Sequence, residues 1–168
     1  MTAGLRSGLT LLALVVLLGA ATVWGWTALT RPFPVSEEQP ICEDMEVTAG
    51  STVSRDQVVV SVFNGSTRNG LAGATRDLLV ERDFVPGDTG NAPTRTDTTL
   101  VLSSDPENPA VRLVARQFKG AKVAPGDPLG VGVVVVVGES FDGLRRKQVK
   151  AVEAKTDATY CHATGSVG

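Results

Sequence analysis

The sequence predicts an α/β domain, built as a single mixed sheet with helices packed on it and preceded by one N-terminal transmembrane helix. Three observations predict it. The chain opens on an uncharged, leucine- and valine-rich run from Ser7 to Thr30. Beyond Gln57, strand-like and helix-like apolar periods alternate, which is the pattern of helices laid on a sheet. Between Gly132 and Gly138 stand five consecutive valines, apolar at every position as in a central strand covered on both faces.

Residues 1–30 read as a cytoplasmic stub and a membrane anchor. A bilayer core of ~30 Å needs about 20 apolar residues in a helix, and Leu9 to Leu29 supply them. Trp24 and Trp26 lie where an aromatic belt would sit. Arg6 is the charged residue on the short leading side, so that end stays in the cytoplasm and the bulk is exported. A cleaved signal peptide is the alternative, with Gly19-Ala20-Ala21 as its small-residue site. Either reading exports the rest of the chain, with the anchor giving a single-pass cell-membrane protein whose C-terminal domain is extracytoplasmic.

Residues 31–41 carry Pro32, Pro34 and Pro40 with Glu37 and Glu38, the composition of an extended tether. The exported domain spans 42–162, and 163–168 form a flexible tail. About 120 residues suffice for one core and not for two. A net charge of −2 argues against a nucleic-acid partner.

The chain has two cysteines, Cys42 and Cys161, at the two ends of the exported domain. In an oxidising compartment an even pair reads as a disulfide. His162, the one histidine, follows Cys161 and suggests a thiolate–imidazole pair, but sequence neighbours seldom meet that geometry. A metal would want about four ligands, and Cys42, Cys161 and His162 leave it short. No cofactor is expected.

Gln57 to Phe63 is β-branched and ends in Asn64-Gly65, a buried strand running into a turn. From Gly70, Leu71, Ala74, Thr75, Leu78 and Leu79 fall on one helical face, ending near Asp83. Val85 to Gly90 reads as a strand weakened by Pro86 and Gly87. Thr98 to Leu102 reads as a better one. Asn108-Pro109 is an N-cap with proline at the first helical position, and Val111, Val114, Ala115 and Phe118 form that helix's apolar face before Gly120. Ala121 to Ala124 reads as a small strand, and Val133 to Val137 as the central one, flanked by Val58 to Phe63. Glu139 to Tyr160 reads as a short surface helix.

Val58 to Ser66 followed by Gly70-Leu71-Ala72 resembles the opening of the LytR C-terminal domain family, a strand ending in an Asn-Gly turn and a helix entered through Gly-Leu-Ala. The similarity continues through Phe84, Thr98 to Leu102, the helix from Pro109, and Val133 to Gly138. It covers about Gln57 to Gly138. In that family the domain often trails a module that ligates glycopolymers onto peptidoglycan, for which this chain has no room. The resemblance implies a role in maintaining the cell envelope, with envelope glycan, lipid or envelope-assembly proteins as partners. It implies no reaction and transfers no binding residue.

Among candidate sites, Asn64, Gly65, Ser66, Arg68 and Gly70 lie between a strand and a helix, where backbone N–H groups and the helix dipole favour an anion. A routine turn is the plainer reading. The Gly65–Gly70 spacing is that of a P-loop, but Leu71-Ala72 replaces its Lys-Ser/Thr pair. The turn Asn91 to Asp97 holds Arg95, which suits a carboxylate or phosphate, with a solvated loop as the default reading. The run Arg145-Arg146-Lys147 suits anionic headgroups or is simply a solvated face. Glu107, Glu139 and Asp142 are the carboxylates open to hydrolase chemistry. Two functions follow: a non-catalytic binding or scaffolding domain, which the missing catalytic set favours, or an enzyme acting on envelope glycan or glycolipid. A cleft gathering perturbed carboxylates would mark the enzyme.

Overall fold

In a computed structural model of the protein, residues 3–29 and 42–164 are described, and the chain falls into two compact units, Met1–Glu38 and Gln39–Gly168. The tether at 31–41 and residues 165–168 lie outside the described residues. The first unit holds helix α1 (Ala3–Leu29), whose 27 residues make it about 40 Å long. Its described side chains run from Thr10 to Trp26, and its large apolar groups are exposed, Leu18 at 70% and Trp24 at 75%. Among the described residues no helix is long and apolar enough to cross a membrane.

The second unit is built on a five-stranded mixed sheet. Its strands are β3 (Val59–Asn64), β4 (Val85–Asn91), β5 (Leu100–Leu102), β6 (Lys122–Ala124) and β7 (Val133–Val137), in the order β4-β3-β7-β5-β6. Strand β7 pairs parallel with β3 on one side and antiparallel with β5 on the other, so the valine run is central as its composition demands. Val135 is fully buried. Strand β4 takes the sheet edge, where Pro86 costs no ladder hydrogen bond in the interior.

Helices α2 (Leu71–Val80) and α3 (Pro109–Ala115) cover one face of this sheet. Alternation along the strands sends Val60, Val62, Val101, Val133, Val135 and Val137 into a common core with Leu79, Leu113, Val114 and Phe118. Asn108 caps α3 as its sequence predicts. Its Oδ1 accepts from the Ala110 N–H at 3.1 Å, and its Nδ2 donates to the Thr159 carbonyl at 2.8 Å. The opposite face carries Phe63, Val134, Val136, Leu100 and Leu102, and neither α2 nor α3 packs there. Loop residues Ala92 and Leu129 lie on it instead.

Two small antiparallel pairs complete the unit, β2 (Thr52–Ser54) with β8 (Ala151–Glu153) and β1 (Cys42–Val47) with β9 (Ala158–Ala163). These strands correct the predicted helix over Glu139 to Tyr160. That segment is an extended strap ending in β8 and β9, because side chains elsewhere claim the carbonyls a helix would use internally. Arg82 donates to the Arg145 carbonyl at 2.6 Å, the fully buried Gln117 donates to that of Val149 at 2.9 Å, and the Arg55 N–H donates to that of Lys150. Gln148 also accepts from the buried guanidinium of Arg55 at 3.1 Å. Ala163, placed in the tail by its position in the chain, is the last residue of β9 and is buried.

Cys42 and Cys161 are joined in a disulfide, their Cα atoms 5.3 Å apart across the β1–β9 pair. It closes a sequence separation of 119 residues and ties the first strand of the unit to the last.

Candidate functional site

The strand-to-helix turn places its predicted residues together. Asn64 ends β3, and its Oδ1 accepts from the Ser66 N–H at 2.9 Å and the Ser66 hydroxyl at 2.8 Å. Its Nδ2 donates to the Arg68 carbonyl at 2.7 Å, and the Arg68 N–H donates to the Ser66 hydroxyl. Gly65 is held by an N–H bond to the Val137 carbonyl, and Gly70 caps α2. The position an external anion would take at Thr67 belongs to the chain's own Glu139. The Thr67 N–H donates to one carboxylate oxygen at 2.8 Å and its hydroxyl to the other at 3.0 Å. Those two bonds, the N–H first, hold the Glu139 carboxyl below its usual range, helped by Arg68 and Arg95. Arg68 itself donates to the Phe141 carbonyl at 2.7 Å. The turn is thus satisfied from within.

The other carboxylates do not assemble. Glu107 pairs with Lys155 at 2.8 Å, which lowers its pKa, and Asp142 pairs with Lys119 at 3.2 Å. A general acid needs the opposite shift. Cys161 is spent in the disulfide, and the His162 ring lies 3.3 Å from the Gln57 carbonyl, edge-on to Tyr160. Among the described residues no group of three or more His, Cys, Asp or Glu side chains is placed to hold a metal. In the basic run, Arg145 donates to the Phe118 carbonyl at 2.7 Å, while Arg146 and Lys147 are exposed.

The helix-free face of the sheet carries a groove of about 390 Å³, within the range of small-ligand sites. Its floor is Leu100, Leu102 and Val136. One wall is the loop from Ala92 to Thr96, the other the loop from Pro125 to Leu129. Arg95 stands on the first wall and Asp127 on the second. Both walls have structural reasons to stay in place. The Thr96 N–H donates to the Gly65 carbonyl at 2.8 Å, and the Thr96 hydroxyl to the Thr98 carbonyl at 2.9 Å. The second loop runs into Gly132, whose φ of +69° and contact with the Val59 carbonyl leave no room for a Cβ. Beside it the buried Ser61 hydroxyl donates to the Val131 carbonyl at 2.6 Å and accepts from the Asp88 N–H at 2.9 Å. A larger hollow of about 610 Å³ lies along β1, lined by the acids Glu43, Asp44 and Glu46 with Met45, His162, Ala163 and Thr164. Sequence reasoning marked Arg95 and missed the floor, because Leu100, Leu102 and Val136 read as ordinary core. No signal in the sequence marks the floor, because the third helix expected over Glu139 to Tyr160 could cover that face.

Residues 57–141 match the family described as LytR cell envelope-related transcriptional attenuator. The chain belongs to this family. The match runs from the start of β3 past β7 and takes in α2, α3 and both walls of the groove. The β1–β9 and β2–β8 pairs lie wholly beyond it. Among solved structures, the soluble domain of a conserved hypothetical secreted protein from Mycobacterium marinum is 21% identical, with a TM-score of 0.42, covering 60% of this chain and 79% of that one. No curated protein matches the chain.

Proposed function

We propose that this is a membrane-anchored, extracytoplasmic and non-catalytic binding domain that supports cell-envelope integrity. It is similar in build to the small actinobacterial envelope integrity protein Cei, with an anchor, a Pro-rich tether and a domain closed by a cysteine pair. The observation that carries the reading is the ligand-sized groove on the helix-free sheet face, within the region that matches an envelope-related family. The disulfide supports an oxidising compartment. The uncharged run from Ser7 to Thr30 supports the anchor. Partners are envelope glycan, lipid or assembly proteins, met outside the membrane, with the 64–70 turn as a scaffold for the groove through Gly65 and Thr96.

Deletion of the gene tests this. The expected result is sensitivity to detergents and envelope-directed drugs, restored by the full chain and not by a chain beginning after Thr30. Turnover of an envelope glycan or glycolipid by the purified protein, lost on changing one carboxylate, would establish the enzyme instead.

A further inference from the structure

The groove has two properties that together specify a ligand. Its floor is aliphatic, Leu100, Leu102 and Val136, and Leu129 of the second wall and Ala92 of the first pack onto the same apolar face and extend it. At Gly126 a Cβ would lie 3.1 Å from a Leu102 methyl, so a larger residue there would press onto the floor. On the first wall, Arg95 is exposed and makes no hydrogen bond or ion pair with any described residue. A guanidinium beside an apolar trough matches an amphiphile with an anionic head, since its planar fork takes a carboxylate in a bidentate pair. The surroundings limit the charge of that head. Asp127 lines the other wall, and Glu139 lies close enough for Arg95 to lower its pKa. A second negative charge on the ligand would meet both acids, so a singly charged head is favoured over a doubly charged one.

We infer that this groove binds an aliphatic chain ending in a single carboxylate, the chain lying on Leu100, Leu102 and Val136 and the carboxylate held by Arg95. This rests on the binding-domain reading and names its ligand class.

The test uses the full chain in nanodiscs of zwitterionic lipid, titrated with octanoate, octanol and acetate, and read from the methyl resonances of Leu100, Leu102 and Val136. Octanoate should saturate those shifts. Octanol and acetate should each bind at least tenfold more weakly, because each lacks one half of the match. Arg95→Gln should weaken octanoate about ten- to a hundredfold, as expected for loss of a charged hydrogen-bonded pair, with Arg95→Lys recovering part of it. Gly126→Leu should abolish the shifts while the rest of the spectrum stays folded. Undisturbed groove methyls, equal affinity for octanol, equal affinity for acetate, or an Arg95→Gln chain that binds as before would each overturn the inference. A chain that fails here yet still restores the deletion strain ends this ligand assignment alone and leaves the envelope role standing.

Discussion

At neutral pH the Glu139 carboxylate accepts from both the N–H and the hydroxyl of Thr67, joining the end of the central strand to the turn that opens α2. These bonds favour the charged form, so its pKa in the folded chain is depressed. A depressed carboxylate contributes stability that is fully present above its unfolded value, about 4.3, and is lost as pH falls through the lower folded value. Glu139→Gln should therefore lower the melting temperature modestly at pH 7, and wild type and variant should converge as pH falls through that depressed folded value. A gap that stays constant throughout acid titration would show that charge is not what the turn uses. The disulfide acts on a longer scale from an equally local bond. Closing 119 residues restrains the unfolded chain by up to about 5 kcal/mol in the chain-entropy account. Cys161→Ser should lower stability by a few kcal/mol while the valine core stays folded, since Val133 to Val137 take their ladder bonds from β3 and β5, and the packing of Tyr160 on that core does not require the disulfide. Non-reduced wild-type protein should show no thiol to a labelling reagent, and the variant one.

Among the elements, the strap after β7 owes its shape to groups far from it in sequence. Gln117, buried at the end of α3, accepts from Arg82 at 2.9 Å and donates to the Leu113 and Val149 carbonyls. Arg82 in turn donates to Arg145, its own pKa lowered by burial and by the neighbouring Arg55. Gln117→Leu would leave a guanidinium N–H and a carbonyl without their partner, a cost of roughly 2–3 kcal/mol. The strap should loosen first, seen as faster tryptic cleavage between Arg145 and Lys150 before global unfolding. Cleavage at the wild-type rate would mean the strap is held by Val149 and Val152 packing alone. This is also why sequence misread the segment as a helix. Arg145, Arg146, Lys147 and Lys150 with Leu144, Val149 and Val152 look like a wet amphipathic face until the donors of Arg55, Arg82 and Gln117 are known. Those donors lie in distant parts of the chain, where no local period reveals them. Elements defined by their own composition were legible: β3 by its β-branched run, α2 by its apolar face from Leu71, α3 by Asn108-Pro109, and β7 by its valines. Strands β1 and β9 were not, because CEDMEV and ATYCHA carry little apolar alternation and owe their pairing to the disulfide and to each other. In the candidate site Arg95 was visible as an unmatched charge, whereas the groove floor became a floor only once both helices took the same side.

For the whole molecule, the proposed function gives the address to the first unit and binding to the second, and the address is the part that can be settled by fractionation. The first thirty residues hold no charge after Arg6, and Trp24 and Trp26 close the run. An uncleaved anchor would keep the protein in the membrane through an alkaline carbonate wash at its full mass of 17.5 kDa. Cleavage after Ala21 would instead release a smaller soluble chain. The proposed orientation rests on Arg6: placed inside, it would send the domain outward, where Cys42 and Cys161 can oxidise. A single cysteine introduced at exposed Thr94, beside the groove, should therefore react with a membrane-impermeant maleimide added to intact cells. One introduced at Thr2 should react only after lysis. The expected outcome is full mass, retention in the washed membrane, and labelling at Thr94 alone. Labelling at position 2 alone would place the domain in the cytoplasm, remove the oxidising compartment the disulfide needs, and overturn the envelope role with it.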